Sequence, residues 1–201
     1  MTTARAPAAV TRSTTDITSR SRRPARSAVS AAGCPAVVMT YYNPVLRYGV
    51  DAFARDLANA GGLGIITPDL IPEEADEWLA ASTAHGLDRI FLVAPSSSEE
   101  RIASTVAAAS GFVYAASTMG VTGARDTVAS AAPELVARTK AHTDLPIGVG
   151  LGVRSREQAA EVAGFADGVI VGSAFVTAAE QGGAAGVRAL AGELAAGVRD
   201  R

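Results

Sequence analysis

From residue 36 onward, short runs of β-branched and other apolar residues alternate with longer, Ala-rich stretches in which apolar residues recur at helical spacing. Such alternation predicts strands and helices in turn, and it favours a parallel sheet covered by helices. The predicted strands are Ala36 to Thr40, Leu63 to Thr67, Arg89 to Val93, Phe112 to Ala116, Ile147 to Gly150 and Gly168 to Val171.

The stretches that follow these strands predict helices, and two of them carry a start signal. Ser97 with Glu100, and Ser155 with Gln158, fit the capping box, in which each side chain satisfies an amide of the first turn. The predicted helices cover residues 50–60, 72–85, 98–110, 133–142, 156–165 and 186–198.

Six successive β/α units fit either an open doubly wound sheet or most of a closed (β/α)8 barrel. The length of 201 residues alone favours the open sheet, because a barrel usually needs about 250 residues and eight strands. The positions of the glycines and polar residues favour the barrel instead. We therefore predict an α/β fold of the (β/α)8 TIM-barrel family in which the last six β/α units are present.

Glycine-bearing segments follow the last three predicted strands, at residues 120–123, 150–152 and 172–173. Glycine lets backbone amides approach an anion closely, and a following helix N-terminus attracts negative charge. A short extra helix at residues 174–180 is typical of such phosphate sites in barrels. The alternative is that the glycines make tight turns and that Ser173 caps a helix. Taken together, the three segments favour a phosphate site.

Polar residues also follow the first two predicted strands. Residues 41–43 are Tyr-Tyr-Asn, and Asn43 precedes a proline, which by itself favours a turn. Asp69 follows the second strand and is either catalytic or, more in keeping with its position, a helix cap.

Few other residues suggest chemistry. His85 and His142 fall near predicted helix C-termini, where a structural role is expected. Cys34 is the only cysteine, which excludes an intramolecular disulfide and fits a reducing compartment. We find no metal-ligand cluster and no Ser-His-Asp or Cys-His arrangement in the sequence.

Charge divides the chain into two parts. Residues 1–34 hold six arginines and one acid, Asp16, whereas the remainder is acidic and has no basic stripe, which argues against nucleic-acid binding. Because residues 1–34 also lack hydrophobic periodicity, we predict a disordered, non-homologous leader before a partial barrel at residues 35–201. The alternatives are an organelle transit peptide and an artefact of start site or reading frame. No apolar run approaches the roughly 18 residues of a membrane span, and we expect a cytoplasmic protein.

Read in order, six segments resemble the tryptophan synthase α subunit: VMTYYNP, PDL, FLVAP, GVTGAR, GVGLG and VGSA. The resemblance runs from Ala36 nearly to the end of the chain. It implies a lyase that splits indole-3-glycerol phosphate into indole and glyceraldehyde 3-phosphate in tryptophan biosynthesis. It also implies that the chain uses no cofactor, and that indole passes to a tryptophan synthase β subunit in an α2β2-type complex.

The same resemblance implies roles for individual residues. Tyr41 and Tyr114 match tyrosines that line the substrate pocket, and Thr122 matches a mobile-loop threonine that helps to order the active site. Asn43 matches the side that meets the β subunit. The positions that match the phosphate-binding residues of the family are Gly123, Gly152, Gly172 and Ser173.

The proton transfers of the reaction depend in the family on a Glu at the end of the second barrel strand and an Asp in the loop after it. Neither has a counterpart here, because the resemblance begins at the third family strand and Asp16 lacks the family context. Each missing group should lower the rate by a factor of about 10² to 10⁴. One alternative is a non-catalytic phosphate-binding or β-subunit-binding module. Another is a different phosphate-binding barrel enzyme, such as a thiamine phosphate synthase or phosphoribosyl isomerase relative, which explains the glycines only.

Overall fold

A computed structural model describes residues 34–116, 131–150 and 152–200 of the chain. Within these ranges, strands and helices alternate as the hydrophobic pattern predicts. The strands are β1 (Val38–Met39), β2 (Gly64–Ile66), β3 (Asp88–Ile90), β4 (Leu92–Val93), β5 (Val113–Ala116), β6 (Ile147–Gly150) and β7 (Gly168–Ile170). The α-helices are α1 (Tyr42–Tyr48), α2 (Val50–Asn59), α3 (Asp76–His85), α4 (Glu99–Ala108), α5 (Ala131–Lys140), α6 (Arg156–Ala163) and α7 (Ser173–Arg199), and Pro72–Glu74 form a 3₁₀ turn.

The described residues form two compact units. The first unit contains residues 34–92 and 107–111, and the second contains residues 93–106 and 112–200. The sheet of the first unit has the order β1-β2-β3, and that of the second has the order β4-β5-β6-β7, with β4 beginning at the last residue of the first unit.

The three strands of the first unit are parallel, with Ile65 of β2 opposite Val38 on one side and Arg89 on the other. Helices α1, α2 and α3 contribute Val45, Ala54 and Trp78 to its core, and all three side chains are fully buried. Parallel strands buried in this way read as continuous apolar runs, which is why these segments are recognisable in the sequence.

In the second unit, β5, β6 and β7 are also parallel. Side chains alternate between the two faces of a strand, so Val113, Ala115 and Val149 share one face, where they are completely or almost completely buried. Tyr114 and Gly150 lie on the opposite face and are only partly buried. This second face therefore offers surface to a ligand.

Helix α1 is the main element that the sequence pattern missed. The Asn43-Pro44 pair predicts a turn, but the structure places both residues in the first turn of α1. Proline is tolerated there because the N–H groups of the first turn have no partner within the helix. The turn predicted at Asn43-Pro44 is therefore wrong, and the chain forms a short helix there.

The predicted helices at residues 174–180 and 186–198 are confirmed as two helices that meet in a kink at Gly183, and they are labelled together as α7. Two other boundaries differ from prediction. The predicted strand from Arg89 to Val93 is divided at Phe91 into β3 and β4, and the predicted helix at residues 72–85 is divided into the 3₁₀ turn and α3. In each case the apolar pattern is right, and the local backbone geometry differs.

One of the two predicted caps is wrong in its residue. The Ser98 hydroxyl accepts a hydrogen bond from the Arg101 amide at 3.2 Å and so caps α4, whereas the Ser97 hydroxyl accepts one from the Ala94 amide within the preceding loop. The other cap is confirmed, since the Ser155 hydroxyl accepts a hydrogen bond from the Gln158 amide at the start of α6.

No helix within the described residues is both long and apolar enough to cross a membrane.

Candidate functional site

The carboxyl ends of β5, β6 and β7 lie side by side at one edge of the second sheet. Ala116 is paired with Gly150, and Gly150 with Ile170, so each strand ends at the same level. Gly152 and Gly172 each come two residues after their strand. Two of the three predicted glycine segments therefore meet at this edge. The third, with Thr122 and Gly123, lies outside the described residues.

Gly152 and Gly172 leave open space at this edge. Gly152 has a φ of +71°, which L side chains rarely adopt, so a glycine is required there by the backbone. A Cβ atom added at either Gly152 or Gly172 would have no heavy atom within 4 Å. The backbone at both positions is thus accessible to a small anion.

Ser173 is the first residue of α7, and its side chain is exposed. The cap position belongs to Gly172, whose carbonyl accepts hydrogen bonds from the amides of Phe175 at 3.0 Å and Val176 at 3.3 Å. No side chain caps the helix, which argues against the alternative of Ser173 as an ordinary N-cap. The amides of Ser173 and Ala174 have no partner within the helix and point out of its N-terminus.

The Tyr114 ring extends along the sheet towards the same edge. The residue opposite Tyr114 on β6 is Gly148. A Cβ atom added at Gly150, two residues closer to the edge, would nevertheless overlap the Tyr114 hydroxyl and lie 2.7 Å from Tyr114 Cζ. Burial raises the pKa of Tyr114. The phenol therefore stays neutral and remains a hydrogen-bond donor at physiological pH.

Apolar side chains extend this face away from the edge. A Cβ atom added at Gly148 would lie 2.9 Å from Ile170 Cδ1 and 3.5 Å from Phe112 Cδ2. Both side chains thus close over the glycine. Together with the Tyr114 ring they form an apolar wall beside an edge that presents backbone amides and a serine hydroxyl.

In the first unit, Asp69 is fully accounted for as a helix cap. Its two carboxylate oxygens accept the amide N–H of Tyr42 at 2.9 and 3.1 Å. The helix that it caps is α1, 27 residues earlier in the chain, and not the next helix as the sequence suggests. A carboxylate at a helix N-terminus is stabilising because it complements the helix dipole.

Tyr41 and Asn43 lie at the start of α1, and both are exposed. Tyr41 is 62% exposed, and two further large apolar residues are exposed nearby in the chain: Leu46 of α1, at 51%, and Ile71, two residues after Asp69, at 41%. Asp69, two residues before Ile71, contacts the first turn of α1, so the chain at Ile71 lies near Tyr41 and Asn43. Exposed apolar residues around a polar residue are typical of protein interfaces.

The two histidines connect neighbouring helices through contacts with carboxylates. His85 Nε2, at the end of α3, lies 2.8 Å from Asp51 of α2, and His142 Nε2, just after α5, lies 2.9 Å from Glu99 of α4. The structural role expected for both is supported by these contacts. Within the described residues, no group of three or more His, Cys, Asp or Glu side chains could hold a metal ion.

Sequence reasoning missed one residue of this site. The sequence places Gly150 only in a phosphate-binding segment, although its missing side chain leaves the space that the Tyr114 hydroxyl occupies. The alternation of glycine at 148 and 150 is the signal that could have found it, since it places two side-chain-free positions on one face of a strand.

Comparison with known families gives one match, to the family described as the tryptophan synthase alpha chain, over residues 22–197. Among curated relatives, the tryptophan synthase alpha chain of Mycobacterium avium is 73% identical over 174 residues, which is 87% of this chain and 64% of the relative. That of Mycobacterium tuberculosis is 74% identical over 172 residues, which is 86% of this chain and 63% of the relative. The chain thus spans about two thirds of the length of these relatives.

Solved structures agree. Tryptophan synthase from M. tuberculosis in space group F222 is 72% identical, with a TM-score of 0.82 over 87% of this chain and 66% of that chain. A mutant α subunit of tryptophan synthase from Pyrococcus furiosus is 30% identical, with a TM-score of 0.75 over 88% of this chain and 71% of that chain. These likenesses confirm the predicted TIM-barrel fold class.

Proposed function

Because the chain belongs to the tryptophan synthase alpha chain family, we propose that it forms the phosphate-binding and substrate-lining part of a carbon-carbon lyase. The lyase cleaves indole-3-glycerol phosphate into indole and glyceraldehyde 3-phosphate. The main support for this proposal is that β6 and β7 end side by side. This brings Gly152, Gly172 and Ser173 to one edge of a parallel sheet. Ligands of such sheets bind at the carboxyl ends of the strands.

The phosphate group binds at the N-terminus of α7. The free amides of Ser173 and Ala174 and the Ser173 hydroxyl donate hydrogen bonds to its oxygens, and the helix dipole favours its negative charge. Gly172 and Gly152 keep the approach free of side chains. Gly123 contributes a further backbone donor in this proposal, on the resemblance stated above.

The indole ring lies against the apolar face beside this edge. Tyr114 and Ile170 supply flat and branched apolar surface there, and the neutral phenol of Tyr114 donates a hydrogen bond. The resemblance further implies that Tyr41 matches a pocket-lining tyrosine of the family and that Thr122 matches a threonine that helps to order the active site. No cofactor takes part in this half of the reaction.

The proton transfers of the reaction have no assigned residue within this chain. Asp69 is engaged with the Tyr42 amide, and the Glu and Asp that the resemblance calls for have no match in the sequence. We therefore propose that the residues of this chain hold the substrate and do not themselves supply the proton transfers. Loss of acid-base assistance lowers the rate by a factor of about 10² to 10⁴ for each group.

The partner is a tryptophan synthase β subunit, and it contacts the surface around Asn43. The exposed side chains of Leu46 and Ile71 support this placement, because burying apolar surface against a partner favours association. We further propose a cytoplasmic location, as expected from the sequence.

Two measurements test the proposed function on the full chain. Calorimetry with glycerol phosphate should detect binding, and indole release from indole-3-glycerol phosphate should be slow, with or without a β subunit. Binding of both ligand and β subunit without any indole release would favour the non-catalytic module instead. Absence of glycerol phosphate binding would contradict the proposal outright.

A further inference from the structure

Helix α7 is bent at a glycine that no other residue could readily replace. Gly183 has φ 57° and ψ −146°, and α7 consists of two helices that meet at this residue in a kink. This combination of angles is accessible almost only to glycine. The bend divides α7 into a leading segment, residues 173–182, and a trailing segment, residues 184–199.

A second glycine lets the two segments touch. A Cβ atom added at Gly186, in the first turn of the trailing segment, would lie 2.6 Å from the carbonyl oxygen of Ala178 in the leading segment. Contacts this short do not occur for real Cβ atoms, so a side chain at residue 186 would push the segments apart. Gly182 differs, since a Cβ atom there would have no heavy atom within 4 Å.

The trailing segment is anchored to the rest of the second unit. Leu194 and Gly197 are buried, and a Cβ atom at Gly197 would overlap the carbonyl oxygen of Arg156 on α6. The Arg156 guanidinium also binds Asp200, just after α7, with Nε 3.0 Å from Oδ2. The trailing segment therefore has a fixed position on α6.

Apart from its contact with Gly186, the leading segment has no comparable anchor among the described residues. Its residues are partly or fully exposed, and Val176 is 52% exposed. The direction of the leading segment is therefore set by β7 at one end and by the bend at Gly183 at the other. Direction matters because hydrogen bonds weaken steeply as the donor turns away from the acceptor.

We propose that Gly183 and Gly186 are positioning residues for phosphate binding. They set the angle of the leading segment, so that the amides of Ser173 and Ala174 point at the phosphate held beyond the ends of β6 and β7. This inference rests on the proposed function, because it assumes that a phosphate binds there. Neither glycine touches the ligand.

The test compares three single variants of the full chain, Gly183→Ala, Gly186→Ala and Gly182→Ala, by calorimetry with glycerol phosphate and by thermal unfolding. The first two should raise Kd for glycerol phosphate about tenfold or more, because in these variants the amides of Ser173 and Ala174 no longer align with the phosphate. Gly182→Ala should leave Kd within about twofold, since alanine only improves helix propensity there. Comparison of Kd with Tm separates positioning from a general loss of stability.

Hydrogen exchange on the unaltered chain adds a readout that does not depend on a variant folding. Glycerol phosphate should protect the amides of residues 173–178 and leave those of residues 184–199 unchanged. Equal Kd values for Gly183→Ala, Gly186→Ala and the unaltered chain would overturn the inference and leave the proposed function intact. A chain that binds no glycerol phosphate in the first place would overturn both.

Discussion

The hydroxyl of Tyr114 fills the space in which a side chain at residue 150 would begin. The two residues lie on neighbouring parallel strands. Tyr114 is opposite Gly148, and its ring leans towards the carboxyl edge of the sheet until the hydroxyl reaches Gly150, two residues further along β6. Tyr114 can hold this position only while residue 150 has no Cβ atom. The orientation of a proposed pocket residue is therefore set by a glycine on another strand.

The variant Gly150→Ala should displace the Tyr114 ring and lower the free energy of unfolding by about 1–3 kcal/mol, the usual cost of overpacking a well-packed site. It should also weaken binding of an indole-containing ligand. Urea denaturation measures the first effect and calorimetry the second. Gly168→Ala is the matched control on β7, because its Cβ atom would make only an ordinary contact, 3.7 Å from Gly148 Cα.

Tyr114→Phe removes the atom that a Cβ at residue 150 would overlap most closely, and it should partly relieve the strain of Gly150→Ala. The double variant should then be more stable than the sum of the single effects predicts, with a coupling of about 0.5–3 kcal/mol. Strictly additive effects would mean that the ring and residue 150 do not compete for the same space.

The hydrophobic pattern predicted the order of strands and helices because parallel, doubly covered strands leave continuous apolar runs in a sequence. It predicted Gly152, Gly172 and Ser173 as neighbours for a similar reason, since parallel strands end at one edge. Asp69 shows where this reasoning stops. Its partner, the Tyr42 amide, is 27 residues away, and a contact of that kind depends on tertiary packing that no local pattern records.

Gly150 shows a second limit. The sequence identifies a glycine next to a strand end, but it does not say whether the missing side chain makes room for a ligand, a backbone turn or another side chain. Gly152 is required by its positive φ, and Gly150 is required by Tyr114. These are different physical reasons for the same residue type, and only coordinates separate them.

Ser173→Ala should raise Kd for glycerol phosphate about tenfold or more, because a hydrogen bond to a charged group contributes roughly 1.5–3 kcal/mol. Thermal unfolding should be nearly unchanged, since the side chain is exposed and does not cap α7. Ser104→Ala is a suitable control, because its hydroxyl donates only to the Arg101 carbonyl within α4. An unchanged Kd would exclude the Ser173 hydroxyl as a phosphate ligand.

Asp69→Ala should lower the free energy of unfolding by about 0.5–2 kcal/mol, the usual cost of losing a helix cap, and should weaken β-subunit binding through α1. Asp69→Asn keeps an oxygen acceptor for the Tyr42 amide and should retain most of the stability. Chemical denaturation and an indole-release assay distinguish the two roles. If Asp69→Asn abolished indole release while keeping full stability, the carboxylate would be catalytic and not merely a cap.

Glu99 joins α4 to α5 through His142 and Arg138, and it should make stability depend on acid pH. Hydrogen bonds from His142 and then from Arg138 lower the pKa of Glu99 in the folded chain. A lowered folded pKa stabilises the fold above the unfolded value of about 4.3, and this contribution disappears as the pH falls through the folded pKa. Glu99→Gln should therefore lower Tm near neutral pH, and the difference from the unaltered chain should shrink towards about pH 3.

Glu100→Gln leaves both bonds to Glu99 in place and serves as the control. A difference in Tm that stayed constant across this range would show that the charge of Glu99 contributes nothing to the junction of α4 and α5.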